Sequence, residues 1–449
     1  MSSAIQVFRT VKNTTDRLTR KAALTFQEQP CDLPFVRVDT CKRFQTIEGF
    51  GGAFTEAAAH TFYKMSPEIR SEILNAYFDP TTGNGYSLCR THINSCDFSL
   101  GNYAYTEVPG DVDLQHFSIE RDRAQLIPMI KEAAGKSGEP VKLLSSPWSP
   151  PAWMKTNGQM NHGGKLKPEY RQAWANYLVR YVQEYEKEGL AIWGITVQNE
   201  PLATQVWDSC IYTDEEERDF VRDFLGPAFQ QAGLLNRIKL LIWDHNRDLL
   251  YDRAKVIYDD PDAARYVWGA AFHWYVGNHF ENVQLTHDAY PDKQLLFSEG
   301  SQEGGPHHDI WEVGERYGQS MIQDLNHWTT AWIDWNLLLD QRGGPNHGGN
   351  YCSAPVMADY SKGTLYYHNS YYYIGQVTRF VRPGAQRVIS ASTLDELETT
   401  AFLNTDGQVA VIVMNRTNQP YEFALRYDNQ LAMTNSPAHS MSTYCFKMQ

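Results

Sequence analysis

From about residue 46 to 380 the chain repeats one rhythm: a short aliphatic or β-branched run ends in polar or aromatic residues, then apolar positions recur at three and four spacing. The runs predict strands at Ile47 to Ala53, Ser87 to Asn94, Val141 to Pro147, Ile192 to Asn199, Lys239 to Asp244, Val267 to Trp274, Gln294 to Glu299 and Thr330 to Leu337. Between and after them the periodicity predicts helices, among them Arg121 to Ala134, Pro168 to Glu188, Glu215 to Gln231, Leu249 to Tyr258, Glu312 to Asn326 and Asn369 to Arg382. Thr213 and Glu216 stand at capping-box spacing before the helix that follows the fourth strand. Eight strand-then-helix units fit a closed (β/α)8 TIM barrel of the α/β class better than an open sheet of five or six strands.

Beyond Pro383 the pattern changes. Short strands at Gln386 to Ala391, Leu397 to Asn404, Gln408 to Asn415, Tyr421 to Tyr427 and Ser440 to Lys447 recur at about ten-residue spacing, the pattern of an all-β sandwich. Ala4 to Val11, Ala23 to Gln27 and Phe35 to Cys41 also read as strands, and an isolated pair of strands is marginal in water. The expected organisation is therefore a barrel over residues 46–382 and a sandwich built from both chain ends, 1–45 and 383–449.

Charge and composition narrow the function classes. Forty Lys and Arg against 53 Asp and Glu leave a formal charge of −13, which argues against a nucleic-acid partner and against steady docking on anionic lipid. Seven cysteines without a C-x-x-C pair argue against a zinc ribbon or a redox dithiol. The N-terminus, MSSAIQVFRT, lacks a basic stretch followed by an apolar core, and no window is apolar enough to span a membrane. The expectation is a soluble chain without stable membrane insertion, cytoplasmic as written, and extracellular or periplasmic if a signal has been removed. Twelve Trp, 26 Tyr and 20 Phe exceed what a core alone explains, and flat apolar rings suit sugars.

Functional groups of such a barrel lie at the C-terminal ends of its strands. Here the strands end on Asn94-Ser95-Cys96-Asp97, Ser146-Pro147-Trp148, Gln198-Asn199-Glu200-Pro201, Trp243-Asp244-His245, His273-Trp274-Tyr275, Ser298-Glu299-Gly300 and Asp334-Trp335-Asn336. Glu200 and Glu299 each close an apolar run, where a carboxylate is costly without a partner or a task. Two carboxylates across a barrel mouth can flank a glycosidic bond, the more desolvated one keeping its proton to act as acid. Gly49-Phe50-Gly51-Gly52 matches no phosphate-binding loop and reads as a tight turn, and no G-x-S-x-G elbow is present.

The stretches Phe44 to Ala53, Ser95 to Ser99, Ser146 to Gly158, Thr196 to Pro201, His273 to Tyr275, Phe297 to Glu299, Asp334 to Leu337 and Gly343 to Asn346 resemble glycoside hydrolase family 30, most nearly its glucosylceramidase (acid β-glucosidase) branch. The resemblance runs in order over essentially the whole chain. It implies a retaining β-glycosidase that needs no cofactor or metal, with Glu200 as acid/base and Glu299 as nucleophile. It further implies that Asn199 donates to the sugar 2-hydroxyl, and that Asp97, Trp148 and Asn350 bind the glycone. Trp335 would stack on the sugar, Tyr275 would hydrogen-bond the nucleophile, and Arg90 and His273 would support the carboxylates from behind.

The closely spaced N-terminal cysteines of the lysosomal members are absent. Trp207, Cys210 and His307-His308-Asp309 lie in loops where leaving-group contacts are expected, the paired histidines reading as a solvated loop. The expected substrate is a β-glucoside, oligosaccharide or glycolipid. The alternatives are a β-1,6-glucanase, β-xylosidase or fucosidase of the same family, or a non-catalytic carbohydrate-binding protein; oligomeric state is left open. The expected pH profile is bell-shaped and centred below neutrality.

Overall fold

A computed structural model describes residues 4–28, 31–138 and 140–448. Eight parallel strands close into a barrel in chain order: Gly49–Phe54, Leu88–Ile93, Lys142–Pro147, Ile192–Thr196, Lys239–Asn246, Gly269–His273, Gln294–Glu299 and Thr329–Asn336. These are the eight expected strands, and their near-continuous burial reflects helices packed on the outside. Leu88, Leu144, Leu241, Ala271, Leu296, Ala331 and Ile333 form a tightly buried apolar cluster on the strands.

Gly49 to Gly52 form no tight turn; they lie in the first strand. Close approach explains the glycine at position 51, because a Cβ there would fall 2.0 Å from the Leu88 carbonyl oxygen on the neighbouring strand.

Two expected helices are interrupted, both near proline. The first divides at Gln125 into Glu120–Ala124 and Leu126–Ser137, since the Pro128 ring clashes with the carbonyl four residues back. The second runs as Asp214–Phe220, a wide π turn at Val221–Leu225, and Gly226–Gln231, because Pro227 has no N–H to donate back along the helix. The Thr213/Glu216 capping box is formed.

The short strands between Leu338 and Tyr367, with Gln302–Glu303, form two small sheets, and nine further strands make one sheet, in which Ala4–Val11, Thr19–Thr25 and Phe35–Thr46 join six strands from the C-terminal segment. The sixth, Gln430–Ser436, was not expected from sequence, because its QLAMTNS run lacks clear alternation. A bridge between Gln27 and Leu431 ties the chain-end strands to the far edge, and Val36, Val388, Val411, Phe423 and Tyr444 belong to the apolar core. Residues 1–3, 29–30 and 449 of the expected sandwich segments, and residue 139 of the barrel segment, lie outside the described residues.

Candidate active site

Several strands bend where they reach the mouth. Pairing of the fifth strand with the sixth shifts between Trp243 and His245, where Trp243 and Asp244 take φ of 69° and 50°. Asn94 and Glu200, at the ends of the second and fourth strands, have φ of 62° and 47°. Non-glycine residues in this region are strained and persist where the surroundings fix them, and the shifts re-aim side chains into the mouth.

At the centre is Arg90 on the second strand, fully buried. It donates through Nη1 to Glu299 Oε2 (2.5 Å), through Nη2 to Asp244 Oδ2 and Asn199 Oδ1 (2.8 Å each), and through Nε to Ser146 Oγ (3.0 Å). Its guanidinium also lies 4.8 Å from the Trp148 ring centroid and 5.5 Å from that of Trp335. Asp244 accepts in addition from Thr196 Oγ1 (2.6 Å) and Ser298 Oγ (2.5 Å), and its Oδ1 is 3.0 Å from His273 Nε2. The other ring nitrogen of His273 is 3.0 Å from Glu200 Oε1. One chain of contacts thus joins the two glutamates: Glu200, His273, Asp244, Arg90, Glu299. Tyr275 donates to the remaining Glu299 oxygen at 2.8 Å.

The electrostatics follow from these contacts. Burial works against the Asp244 carboxylate, but Arg90 and His273 hold its pKa well below the usual range. Burial would make His273 harder to protonate, yet Glu299, Asp244 and Glu200 raise its pKa to about 9. Glu299 is lifted above the ordinary range by burial, against the pull of His273 and Arg90. Burial also opposes Glu200, but the neighbouring His245 and His273 outweigh it and hold that carboxyl below the ordinary range. Burial and the charge of Glu299 push Asp97 up to about 7. Of the two glutamates, then, Glu299 is the one shifted towards holding its proton, whereas the sequence reading gave that property to the acid.

Asp97, Trp148, Asn199, Glu200, Tyr275, Glu299, Trp335 and Asn350 all line one open cavity of about 260 Å³. Trp148 and Trp335 stack with centroids 5.1 Å apart and planes 22° from parallel. Asp97 Oδ2 accepts from Asn346 Nδ2 (3.2 Å) and Asn350 Nδ2 (3.3 Å). With its Oδ1 taken by Arg90, Asn199 has amide donors left for a ligand. Arg90 and His273 lie behind the lining residues. Trp274, grouped with the mouth aromatics on sequence, packs instead against Phe297, Tyr317 and Trp332.

The same cavity is also lined by Gln205, Trp207, His245, Asn246, Ser301, Glu303 and Cys352, of which Trp207 and Cys352 pack in one apolar cluster with Trp148 and Trp335. Of the loop residues named from sequence, Trp207 reaches the cavity, whereas Cys210 is buried elsewhere and His308 faces His368, with Nδ1 3.2 Å from its Nε2. Asp244 was visible as a strand-end residue, but its place between the two glutamates shows only in three dimensions.

Glu200, His273 and Glu299 offer ligand atoms within 4.8 Å of one another. That set could in principle hold a cation, but Arg90 and Tyr275 already engage both Glu299 oxygens and Asp244 engages His273, so the donors are committed to one another.

A (β/α)8 barrel with paired carboxylates beneath stacked indoles at its mouth belongs to the glycoside hydrolases. Residues 47–381 match the glycosyl hydrolase family 30 TIM-barrel domain and residues 384–444 its β-sandwich domain, and the chain belongs to that family. It is 38% identical to lysosomal acid glucosylceramidase of Mus musculus over 91% of this chain and 82% of that protein. Among solved structures it is similar to SrfJ from Salmonella typhimurium (37% identity, TM-score 0.95, all of both chains). It is also similar to the endo-β1,6-glucanase BT3312 (30% identity, TM-score 0.91, 99% of this chain and all of that one). Among the described residues no helix is long and apolar enough to cross a membrane.

Proposed function

We propose that the protein is a retaining β-glucosidase working by double displacement, with Glu299 as nucleophile and Glu200 as acid/base. The supporting observation is that an oxygen of each glutamate lies within 4.8 Å of one from the other, a close pair that fits the carboxyl spacing of retaining enzymes (about 5–5.5 Å) better than the about 6.5–9.5 Å of inverting ones. The barrel over 46–382 is taken as the catalytic unit and 1–45 with 383–449 as the sandwich that supports it.

Glu299 attacks the anomeric carbon as the bond to the leaving oxygen breaks, and that oxygen takes a proton from Glu200. The resulting glycosyl ester is hydrolysed when Glu200 takes a proton from water, which attacks the same carbon and returns Glu299 as carboxylate. The Glu200–His273 pair stores the acid proton. With Asp244 accepting from Nε2, His273 holds the second proton on Nδ1 and passes it to Glu200 as Glu200 protonates the leaving group. Arg90 and Tyr275 donate more strongly to Glu299 when it is ionised, which favours the attacking carboxylate against the burial that raises its pKa.

The glycone is assigned to Asp97, Trp148, Asn199, Trp335 and Asn350, and the leaving group to Gln205, Trp207 and Glu303 of the same cavity. Two observations bear on the leaving group. Eleven large apolar side chains are exposed among the described residues, and several of them, including Leu202, Val206, Val276 and Tyr351, stand on the loops that leave the ends of barrel strands at the cavity face. Such a rim favours an amphiphilic glucoside, a glycolipid, presented by an uncharged surface. The polar inner wall favours the second reading, a β-1,6-linked oligosaccharide.

The roles are tested with azide as an external nucleophile. Glu200→Ala is expected to recover activity and give the β-glucosyl azide, whereas Glu299→Ala gives the α product. The opposite pairing, or wild-type release of the inverted sugar, sinks the assignment. Parallel assays on glucosylceramide in neutral detergent micelles and on β-1,6-linked glucans choose between the two leaving groups.

A further inference from the structure

His347 and Asp208 belong to the loops that follow the eighth and fourth strands, and neither lines the cavity. Asp208 is almost wholly buried; its Oδ1 accepts from Ser95 Oγ (2.5 Å) and Asn102 Nδ2 (2.9 Å) of the loop after the second strand. Its Oδ2 lies 3.1 Å from His347 Nε2. Neither of those two buried atoms has a well-aligned hydrogen-bond partner, so the contact stabilises through charge. The His347 backbone N–H donates to the Asp97 carbonyl (3.1 Å), and its Nδ1 is 3.3 Å from the Ser99 carbonyl oxygen.

On either side of His347 in sequence stand the groups that hold Asp97. Asn346 and Asn350 both donate to the Asp97 carboxylate, and Asn346 Oδ1 accepts from the backbone of Gly348 and Asn350. Gly348 in turn meets Trp207 of the fourth-strand loop so closely that a Cβ would fall 2.8 Å from the indole. Three loops therefore converge on one ion pair.

The geometry points to His347 as a positioning residue. Ion-paired with Asp208, it clasps the eighth-strand loop onto the loops after the second and fourth strands and so fixes Asp97 on the glycone side and Trp207 on the leaving-group side. This rests on the reading of Asp97 as a glycone contact. The charged groups facing His347 are Asp208 and Asp97, and Asp208 also senses Lys155. His347 titrates above the ordinary histidine range because of Asp208, and Asp208 below the ordinary aspartate range because of its donors and His347. Both charges are present between those ranges. The clasp weakens as pH rises through the raised His347 value, and again as pH falls through the lowered Asp208 value.

The experiment measures KM and kcat on an aryl β-glucoside across pH, with hydrogen exchange of segments 203–209 and 343–350. His347→Gln and Asp208→Asn are each expected to raise KM about tenfold with kcat within threefold, the double variant to be no worse than either single, and exchange in both segments to quicken. His347→Lys, which keeps a cation, should restore most of KM and remove the alkaline rise of KM expected of the wild type. Unchanged KM and exchange in both single variants, or fully additive losses in the double variant, would overturn the clasp. A wild type inert on every β-glucoside would overturn the glucosidase reading instead, and the exchange measurement would still decide the clasp.

Discussion

The Tyr275 hydroxyl tests the account of the nucleophile most sharply. It donates to Glu299 Oε1 at 2.8 Å, while Arg90 holds the other oxygen. Tyr275→Phe removes one donor to the charged form and leaves ring and backbone in place. A hydrogen bond to a charged group contributes about 1.5–3 kcal/mol. At 1.36 kcal/mol per pKa unit, that corresponds to a rise of about 1–2 units in the Glu299 pKa. Tyr275 is half-buried rather than sealed, so water can replace part of the contact and the lower end, about one unit, is expected. As the proposed nucleophile, Glu299 has to be ionised, so the acid limb of kcat/KM should move to higher pH by that amount, with the basic limb unmoved. The assay is kcat/KM for an aryl β-glucoside from about pH 4 to 9. An acid limb that stays put, or moves to lower pH, refutes the claim that the phenol holds Glu299 ionised.

Other outcomes follow from the same contacts. His273→Asn should lower kcat about 10²- to 10⁴-fold, the usual worth of positioned proton transfer, and bring the basic limb of the pH–rate profile down, because the group raised to about 9 no longer stores the proton. That histidine's raised pKa also contributes stability that is complete below about pH 6.5 and lost as pH rises through about 9, so the wild type's melting temperature should fall over that interval and that of His273→Asn should fall less. Gly51→Ala should cost about 1–3 kcal/mol in chemical denaturation, since its Cβ meets the Leu88 carbonyl rather than a flexible side chain. Asp244→Asn, isosteric but uncharged, should lower kcat and bring the basic limb to lower pH, since it removes a negative charge that holds His273 protonated.

Most of the barrel was legible because a strand buried on both faces writes itself as an unbroken apolar run, and its polar end marks the mouth. Seven such ends placed Asp97, Trp148, Asn199 and Trp335 at the mouth, whereas Asn350 stands in the loop after the eighth strand. Strands on the sandwich edge are harder, as Gln430–Ser436 shows, because pairing with Tyr421–Tyr427 rather than its own composition makes it a strand. The helix at Glu215 to Gln231 has helical periodicity throughout, and only the missing proline N–H widens its middle. The glycine run at 49–52 has turn composition, and the reason for Gly51, a carbonyl on the next strand, lies outside any local window. The protonation order differs for a related reason. Sequence places two carboxylates at the mouth, but whether Glu200 or Glu299 holds a proton depends on His245, His273 and Arg90, which arrive from three other strands.

The linkage from Glu200 through His273, Asp244 and Arg90 to Glu299 is built almost wholly from residues on or just after strands two to seven, whereas Gln205, Trp207, Asn346 and Asn350 stand on loops. Reactivity and selectivity are therefore separable parts of this molecule. Exchanging a loop can give the enzyme a new leaving group without disturbing the proton inventory, while a change to Arg90 or Asp244 alters every substrate alike. A laboratory that wishes to redirect this scaffold has its boundary drawn by the barrel rim: above it lies material for redesign, and below it a reaction centre to be transplanted whole.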